Sequence, residues 1–117
     1  MNNIKIYKLK VIKSSEGSII KFINKKSEYF MKFGEVYFST VNYNTEKKWR
    51  YHHKMHLNIF VLKGKIKFYF YDKDKKIKNL PKYLTCSEKD PVCLSIPPKI
   101  WFKFKGIGKK ENTLINF

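Results

Sequence analysis

Lys65-Ile66-Lys67-Phe68-Tyr69-Phe70-Tyr71 decides the fold class. Ile66, Phe68 and Phe70 fall on one side of an extended chain, and Lys65, Lys67, Tyr69 and Tyr71 on the other. That two-residue period describes a strand with one face in a core and the other toward water, not a helix. Lys63-Gly64 just before it reads as a tight hairpin turn from the apolar run at 56–62. Working outward, further β-rich runs stand at 4–11, 19–23, 35–41, 92–96, 100–105 and 113–117, with Pro97-Pro98 stopping the run at 92–96. No window of 12 residues holds a 3.6 period. Residues 73–90 carry no clear strand and are expected to form a short helix or a long loop. A run of strands, a tight turn, a long connection and more strands predicts an all-β jelly-roll barrel, although spacing alone leaves another β-barrel open.

The chain has 117 residues, which suits one domain spanning 1–117. No apolar run approaches the roughly 20 residues of a membrane span, and residues 1–10 lack the apolar stretch of a secretory signal. A cytoplasmic protein with no membrane contact is expected. Cys86 and Cys93 lack CxxC spacing and nearby histidines, so reduced structural thiols are expected rather than a zinc site. The net charge is +17, yet Arg50 is the only arginine among 26 Lys and Arg, and the lysines run from Lys5 to Lys110. Such a spread, beside abundant Ile, Asn, Phe and Tyr, is what AT-rich coding produces. It argues against nucleic acid as a partner, while an anionic ligand such as a nucleotide diphosphate remains favoured.

Chemistry concentrates in Lys47-Lys48-Trp49-Arg50-Tyr51-His52-His53-Lys54-Met55-His56, which holds all three histidines and the arginine. Continuous strand alternation would put His52, Lys54, His56 and Asn58 on one face and His53, Met55, Leu57, Ile59 and Val61 on the other; a bend at 52–54 would change that parity. A histidine here is a candidate general base, its ordinary pKa lying near neutrality. His52 and His56 could instead pair on a metal, but no glutamate stands between Glu46 and Glu88 to complete the usual set, so no metal is expected. Arg50 offers a bidentate fork to a diphosphate. The bland alternative is a solvated basic strand edge. Trp101, after Pro97-Pro98, could stack on a base or sugar or simply fill core. Glu35, after Gly34, could orient a histidine or sit on the surface.

Five segments, in order, carry a resemblance: Gly34-Glu35-Val36-Tyr37-Phe38-Ser39, Trp49-Arg50-Tyr51-His52, Met55-His56-Leu57-Asn58, Gly64-Lys65-Ile66-Lys67-Phe68 and Ile96-Pro97-Pro98-Lys99-Ile100-Trp101-Phe102. Together they resemble the short branch of the dTDP-4-dehydrorhamnose 3,5-epimerase-related family, over residues 17–117. The resemblance implies a cupin-type jelly roll (a double-stranded β-helix), usually a homodimer, that works without a metal or other cofactor in surface polysaccharide synthesis. It implies a histidine that abstracts a proton beside the ketone of a nucleotide-linked 4-keto-6-deoxy sugar, cationic groups that stabilise the enolate, and a tyrosine that returns a proton from the other side.

Carried over by position, His52 matches the family's catalytic histidine, and His53, three residues after Arg50, is its rival. Arg50 and Lys54 would contact the diphosphate. His56, Asn58, Tyr69 and Trp101 would line the cavity or hold the sugar or base, and Glu35 would orient the histidine. The family's enolate-stabilising lysine falls near Leu57, and a family histidine falls at Phe102. Its late catalytic tyrosine and the aspartate beside the histidine have no match. The related 3,4-ketoisomerases carry Arg-x-x-His-x-His-Lys, which Arg50-Tyr51-His52-His53-Lys54 echoes one residue out of step. Two functions are therefore expected to compete: a sugar-nucleotide epimerase or isomerase, and a non-catalytic cupin that binds a sugar nucleotide or another anion.

Overall fold

The computed structural model describes residues 3–117, so the first two positions of the expected domain lie outside the described residues. Among the described residues ten strands follow one another: β1 Lys5–Lys8, β2 Lys10–Ser14, β3 Gly17–Lys21, β4 Tyr37–Thr40, β5 Leu57–Lys63, β6 Lys65–Tyr71, β7 Tyr83–Ser87, β8 Val92–Ile96, β9 Trp101–Gly106 and β10 Thr113–Asn116. They form a five-stranded sheet in the order β1-β8-β5-β10-β4, a three-stranded sheet in the order β7-β6-β9, and a separate β2-β3 hairpin. All strand pairings are antiparallel. Among the described residues no helix is long and apolar enough to cross a membrane.

The core lies between the two larger sheets. Leu57, Ile59 and Val61 of β5 face Ile66, Phe68 and Phe70 of β6, joined by Leu94, Ile96, Phe102, Phe104 and Leu114. The alternation of β6 appears as expected, with Ile66, Phe68 and Phe70 buried and Lys65 and Tyr71 exposed. A second apolar cluster covers the outer face of the five-stranded sheet, where Phe60 and Cys93 meet Leu9, Tyr7, Phe22 and Tyr29. Both faces of β8 are thus covered, and all five of its residues are buried. Cys86 and Cys93 are free and buried; burial pushes their thiols up to about 11 and about 12, so both stay protonated at neutral pH.

Two expectations need correction. Lys63-Gly64 is a tight turn but not a hairpin: β5 pairs with β8 and β10, whereas β6 pairs with β7 and β9. The turn is the corner at which the chain leaves one sheet for the other. Gly64 takes φ +77° there, and a Cβ would collide with the Glu111 carbonyl and the Asn112 amide. Residues 73–90, expected to be helix or loop, contain strand β7. It is a short edge strand in which only Cys86 is fully buried, which leaves its sequence period weak.

Candidate active site

The segment before β5 lies along the free edge of β9. Lys47 N donates to Phe104 O (2.8 Å), Arg50 N to Phe102 O (2.8 Å), and Phe102 N back to Arg50 O (3.0 Å). Extended backbone sends alternate side chains to opposite faces. Arg50 and His52 point inward, beside Phe102 and Phe104. Trp49, Tyr51 and His53 point outward: the Lys103 ammonium lies 4.9 Å from the Trp49 ring centre, and Tyr51 packs on Trp101 and His53, each with ring centres 5.0 Å apart. A bend at His53-Lys54 then shifts the parity by one residue, so that Met55, Leu57 and Ile59 face inward and His56 and Asn58 outward. The turn at Pro97-Pro98-Lys99 anchors this segment. Lys99 takes φ +69°, uncommon for a residue with a side chain, and its N–H donates to the His52 carbonyl at 2.7 Å.

Between the two sheets lies a cavity of about 400 Å³, within the range of small-molecule sites. Its floor is apolar and buried: Ile59, Phe102, Phe104 and Leu114. Its polar lining comes from both sheets. Lys47, Arg50 and His52 stand on the β9 side; Glu35, Tyr37 and Ser39, alternate residues leading into and along β4, stand on the other with Asn116 of β10. One carboxylate faces two permanent cations, so the cavity favours an anion. Burial, with the Arg50 guanidinium adding to it, holds the His52 imidazole below its ordinary pKa. The ring is therefore uncharged at neutral pH and free to accept a proton. Glu35 shares the cavity with His52, but no hydrogen bond joins their side chains.

Several candidates stand elsewhere. His53 and Lys54 are exposed at the bend. Tyr69 and Trp101 lie on the outer face of the three-stranded sheet, because the inward positions of β6 and β9 are the even-numbered ones; Lys67 and Lys103 cover Tyr69 there, each ammonium within 5.3 Å of its ring centre. His56 and Asn58 lie behind the five-stranded sheet, not in the cavity. Asn58 Nδ2 donates to the Tyr29 carbonyl (2.8 Å), so its Oδ1 accepts the Ser95 hydroxyl (3.0 Å), and His56 Nε2 must donate to Ser95 Oγ (2.6 Å). With its proton engaged in this way, His56 is a structural donor rather than a base. Sequence reasoning missed Tyr37, Ser39, Lys47 and Asn116. The signal for the first two was present: with Glu35 they occupy every second position of the β-rich run at 35–41.

The fold and its basic, histidine-bearing hollow define a cupin-type jelly roll. No protein-family model matches the sequence, and no curated protein matches it. Solved structures do. A dTDP sugar isomerase from Desulfovibrio desulfuricans G20 is 27% identical, with a TM-score of 0.87 over 97% of this chain and 74% of that one. A sugar 3,4-ketoisomerase from Thermoanaerobacterium thermosaccharolyticum, solved with TDP, is 23% identical with a TM-score of 0.77, covering 97% and 78%. A dTDP-4-dehydrorhamnose 3,5-epimerase from Sulfolobus tokodaii is 20% identical with a TM-score of 0.78, covering 97% and 68%. The resemblance to the dTDP-sugar epimerase and isomerase group is borne out, with this chain the shorter relative.

Proposed function

We propose that this chain, acting as one cupin-like unit, is a metal-independent epimerase or isomerase of a nucleotide-linked 4-keto-6-deoxy sugar in surface polysaccharide synthesis. The observation that carries the reading is the pairing of Arg50 and His52 on the inward face of one extended segment, in an anion-favouring cavity with an apolar floor. Structural neighbours that modify dTDP-sugars support it. Hydrogens beside a ketone are acidic enough for a neutral imidazole to remove, and His52 is placed to do so. Arg50 suits the diphosphate through its two-pronged fork. Lys47 is left to stabilise the enolate oxygen, in place of the family lysine whose position Leu57 fills with core hydrocarbon. A nucleotide-sugar substrate places the protein in the cytoplasm.

Calorimetry with dTDP and dTDP-glucose, then proton NMR of dTDP-4-keto-6-deoxyglucose in D2O, tests this reading. Saturable binding together with deuterium entry beside the ketone is expected. Binding without exchange would establish the second reading, a non-catalytic cupin, which the buried Leu57 and the unbonded Glu35 favour. Neither binding nor exchange would remove both.

We also infer a homodimer. Cross-strand pairs Val11-Ile20 and Ile12-Ile19 stand on an isolated two-stranded hairpin, and a hairpin alone is marginal in water. Ile19 is 60% exposed, and Phe38, on edge strand β4, is 64% exposed. Light scattering after size exclusion should give twice the 14.1 kDa chain mass, and the double change Ile12→Lys, Ile19→Lys should halve it. A wild-type monomer at tens of micromolar would refute the dimer.

A further inference from the structure

The outer face of the three-stranded sheet takes no part in the cavity. Side chains directly opposite one another in β7, β6 and β9 share that face, and the register sets them in rows across it. Thr85, Lys67 and Lys105 form one row, Tyr83, Tyr69 and Lys103 the next, and Tyr71 and Trp101 the third. The segment along the free edge of β9 extends the rows: the Lys103 ammonium lies over Trp49, and Tyr51 packs on Trp101. One side of the face is therefore cationic and the other aromatic. They meet where the Lys67 ammonium lies 4.1 Å from the Tyr83 ring centre and the Lys103 ammonium 5.3 Å from that of Tyr69. Tyr71 and Tyr83 are 50% and 56% exposed, and among the described residues no ammonium lies over Tyr71 or Trp101. With Lys65, four lysines stand on the outward positions of the three strands, and no carboxylate does. At the margins, Glu46 is tied to Lys103 (2.7 Å) and Asp72 accepts from Ile77 N (2.8 Å).

We propose that this face binds single-stranded nucleic acid, its bases stacked on Tyr71, Trp101 and the rings beside them and its phosphates over Lys65, Lys67, Lys103 and Lys105. The lysines are spread along the sequence, but the fold sets these four on two adjacent strands, next to a row of rings. Charge complementarity selects a polyanion. The rings narrow the class: every base has a flat face that stacks on an aromatic side chain, and only an unpaired base can present it. A duplex would offer this face phosphates alone. An anionic membrane would also meet the lysines, but it calls for rings that project past the ammonium groups. Here Lys67 and Lys103 lie over the rings of Tyr83, Tyr69 and Trp49, which puts charge outermost. A phosphate that draws either ammonium away frees a ring for a base, and an exposed cation–π contact is the weaker of the two interactions. The inference is independent of the reaction in the cavity, which lies on the inner side of the same sheet.

Fluorescence anisotropy with a fluorescein-labelled oligothymidylate of about 12 nucleotides, a length such sites cover, tests the proposal. Saturable binding is expected, weakening with salt at a log–log slope of roughly −3, since each of four neutralised phosphates contributes about −0.7. Lys67→Gln with Lys105→Gln should halve that slope. Trp101→Ala and Tyr71→Ala should each weaken binding at least about 5-fold and leave the slope alone. Tyr71 is half exposed, so its variant reports on stacking even if Trp101→Ala, whose ring also packs on Tyr51, fails to fold. Lys10→Gln with Lys21→Gln removes the same charge from the β2-β3 hairpin and should leave affinity within about 2-fold at about 0.15 M salt. Equal losses from the two lysine pairs, no loss from the ring variants, or duplex DNA of the same length bound as tightly as the single strand would reduce the interaction to diffuse charge and overturn the site. Phosphatidylserine vesicles whose capture needs both rings, while the oligonucleotide does not, would overturn it in favour of a membrane. None of these outcomes touches the role of His52.

Discussion

His52→Asn is expected to lower deuterium exchange beside the ketone by at least about 100-fold, within the range that a positioned general base contributes. Asparagine keeps a polar side chain of similar reach but takes up no proton near neutral pH. The fold should tolerate the change, since the His52 ring makes no hydrogen bond among the described residues and its backbone stays tied to Lys99. The pH profile supplies an independent check. Burial first, and Arg50 second, lower the His52 pKa, so the acid limb of kcat/KM should fall below the ordinary histidine value of about 6.5. Removing the guanidinium with Arg50→Met should move that limb to higher pH, whatever it does to binding. Stability follows the same sign. A depressed folded-state pKa means that the unfolded chain binds more protons between the two values. The contribution is therefore complete above the unfolded pKa and is lost as pH falls through the folded one. His56, also lowered, by burial and then Lys5, shares in that acid destabilisation. Because it lies behind the five-stranded sheet, His56→Gln should leave the kinetic limb where it is. A kinetic limb that followed His56 instead would remove His52 from the base role.

How much of this was legible depended on whether a side chain's direction could be counted from a fixed point. From Ile66 to Phe70 the count is unbroken, so the buried face of β6 could be read off directly. The order of strands and the glycine at the sheet corner were likewise visible, though not that Gly64 separates two sheets, because a hairpin turn and a corner turn ask the same freedom of glycine. The site was harder. Inward residues are even-numbered at Arg50 and His52 and odd-numbered from Met55 onward, and the change is made by a bend at His53-Lys54. No glycine or proline marks that bend, so counting back from β5 grouped His52 with His56 and Asn58 on one face, whereas His52 lies on the cavity side with Met55 and Ile59. Trp101 and Tyr69 looked like ligand platforms by type, yet their strands' parity turns them outward under lysine and tyrosine neighbours. Tyr37 and Asn116 meet only through the β4-β10 register, across 79 residues, and nothing local in either segment announces the partner.

Asn112→Ala is expected to be the most damaging single change to stability. Asn112 is 2% exposed, and its amide fills every hydrogen-bonding position it has. Oδ1 accepts from Lys65 N (2.9 Å) and Gly108 N (3.0 Å), while Nδ2 donates to Gly108 O (2.8 Å) and Val41 O (3.2 Å). One side chain thereby joins the start of β6, the 107–112 connection and the residue that follows β4. Three of the five glycines make room for it: a Cβ on Gly64 or Gly108 would collide with Oδ1, and one on Gly106 would come within 2.9 Å of Nδ2. Alanine removes the side-chain partner of Lys65 N, Gly108 O and Val41 O, while Gly108 N keeps its second acceptor, Lys65 O, at 3.1 Å. An orphaned buried group costs about 1–3 kcal/mol, and entry of water into the vacated space would relieve part of the total. A loss of roughly 3–4 kcal/mol is expected, among the larger effects of single changes and a substantial share of the 5–15 kcal/mol typical of a domain. For a chain of this size that corresponds to a fall in Tm of roughly 10–20 °C. Urea and thermal unfolding would measure it, and Asn112→Asp should not rescue it, because a carboxylate has no hydrogens for Val41 O and Gly108 O. A loss under 1 kcal/mol would mean that the three segments hold together without this amide.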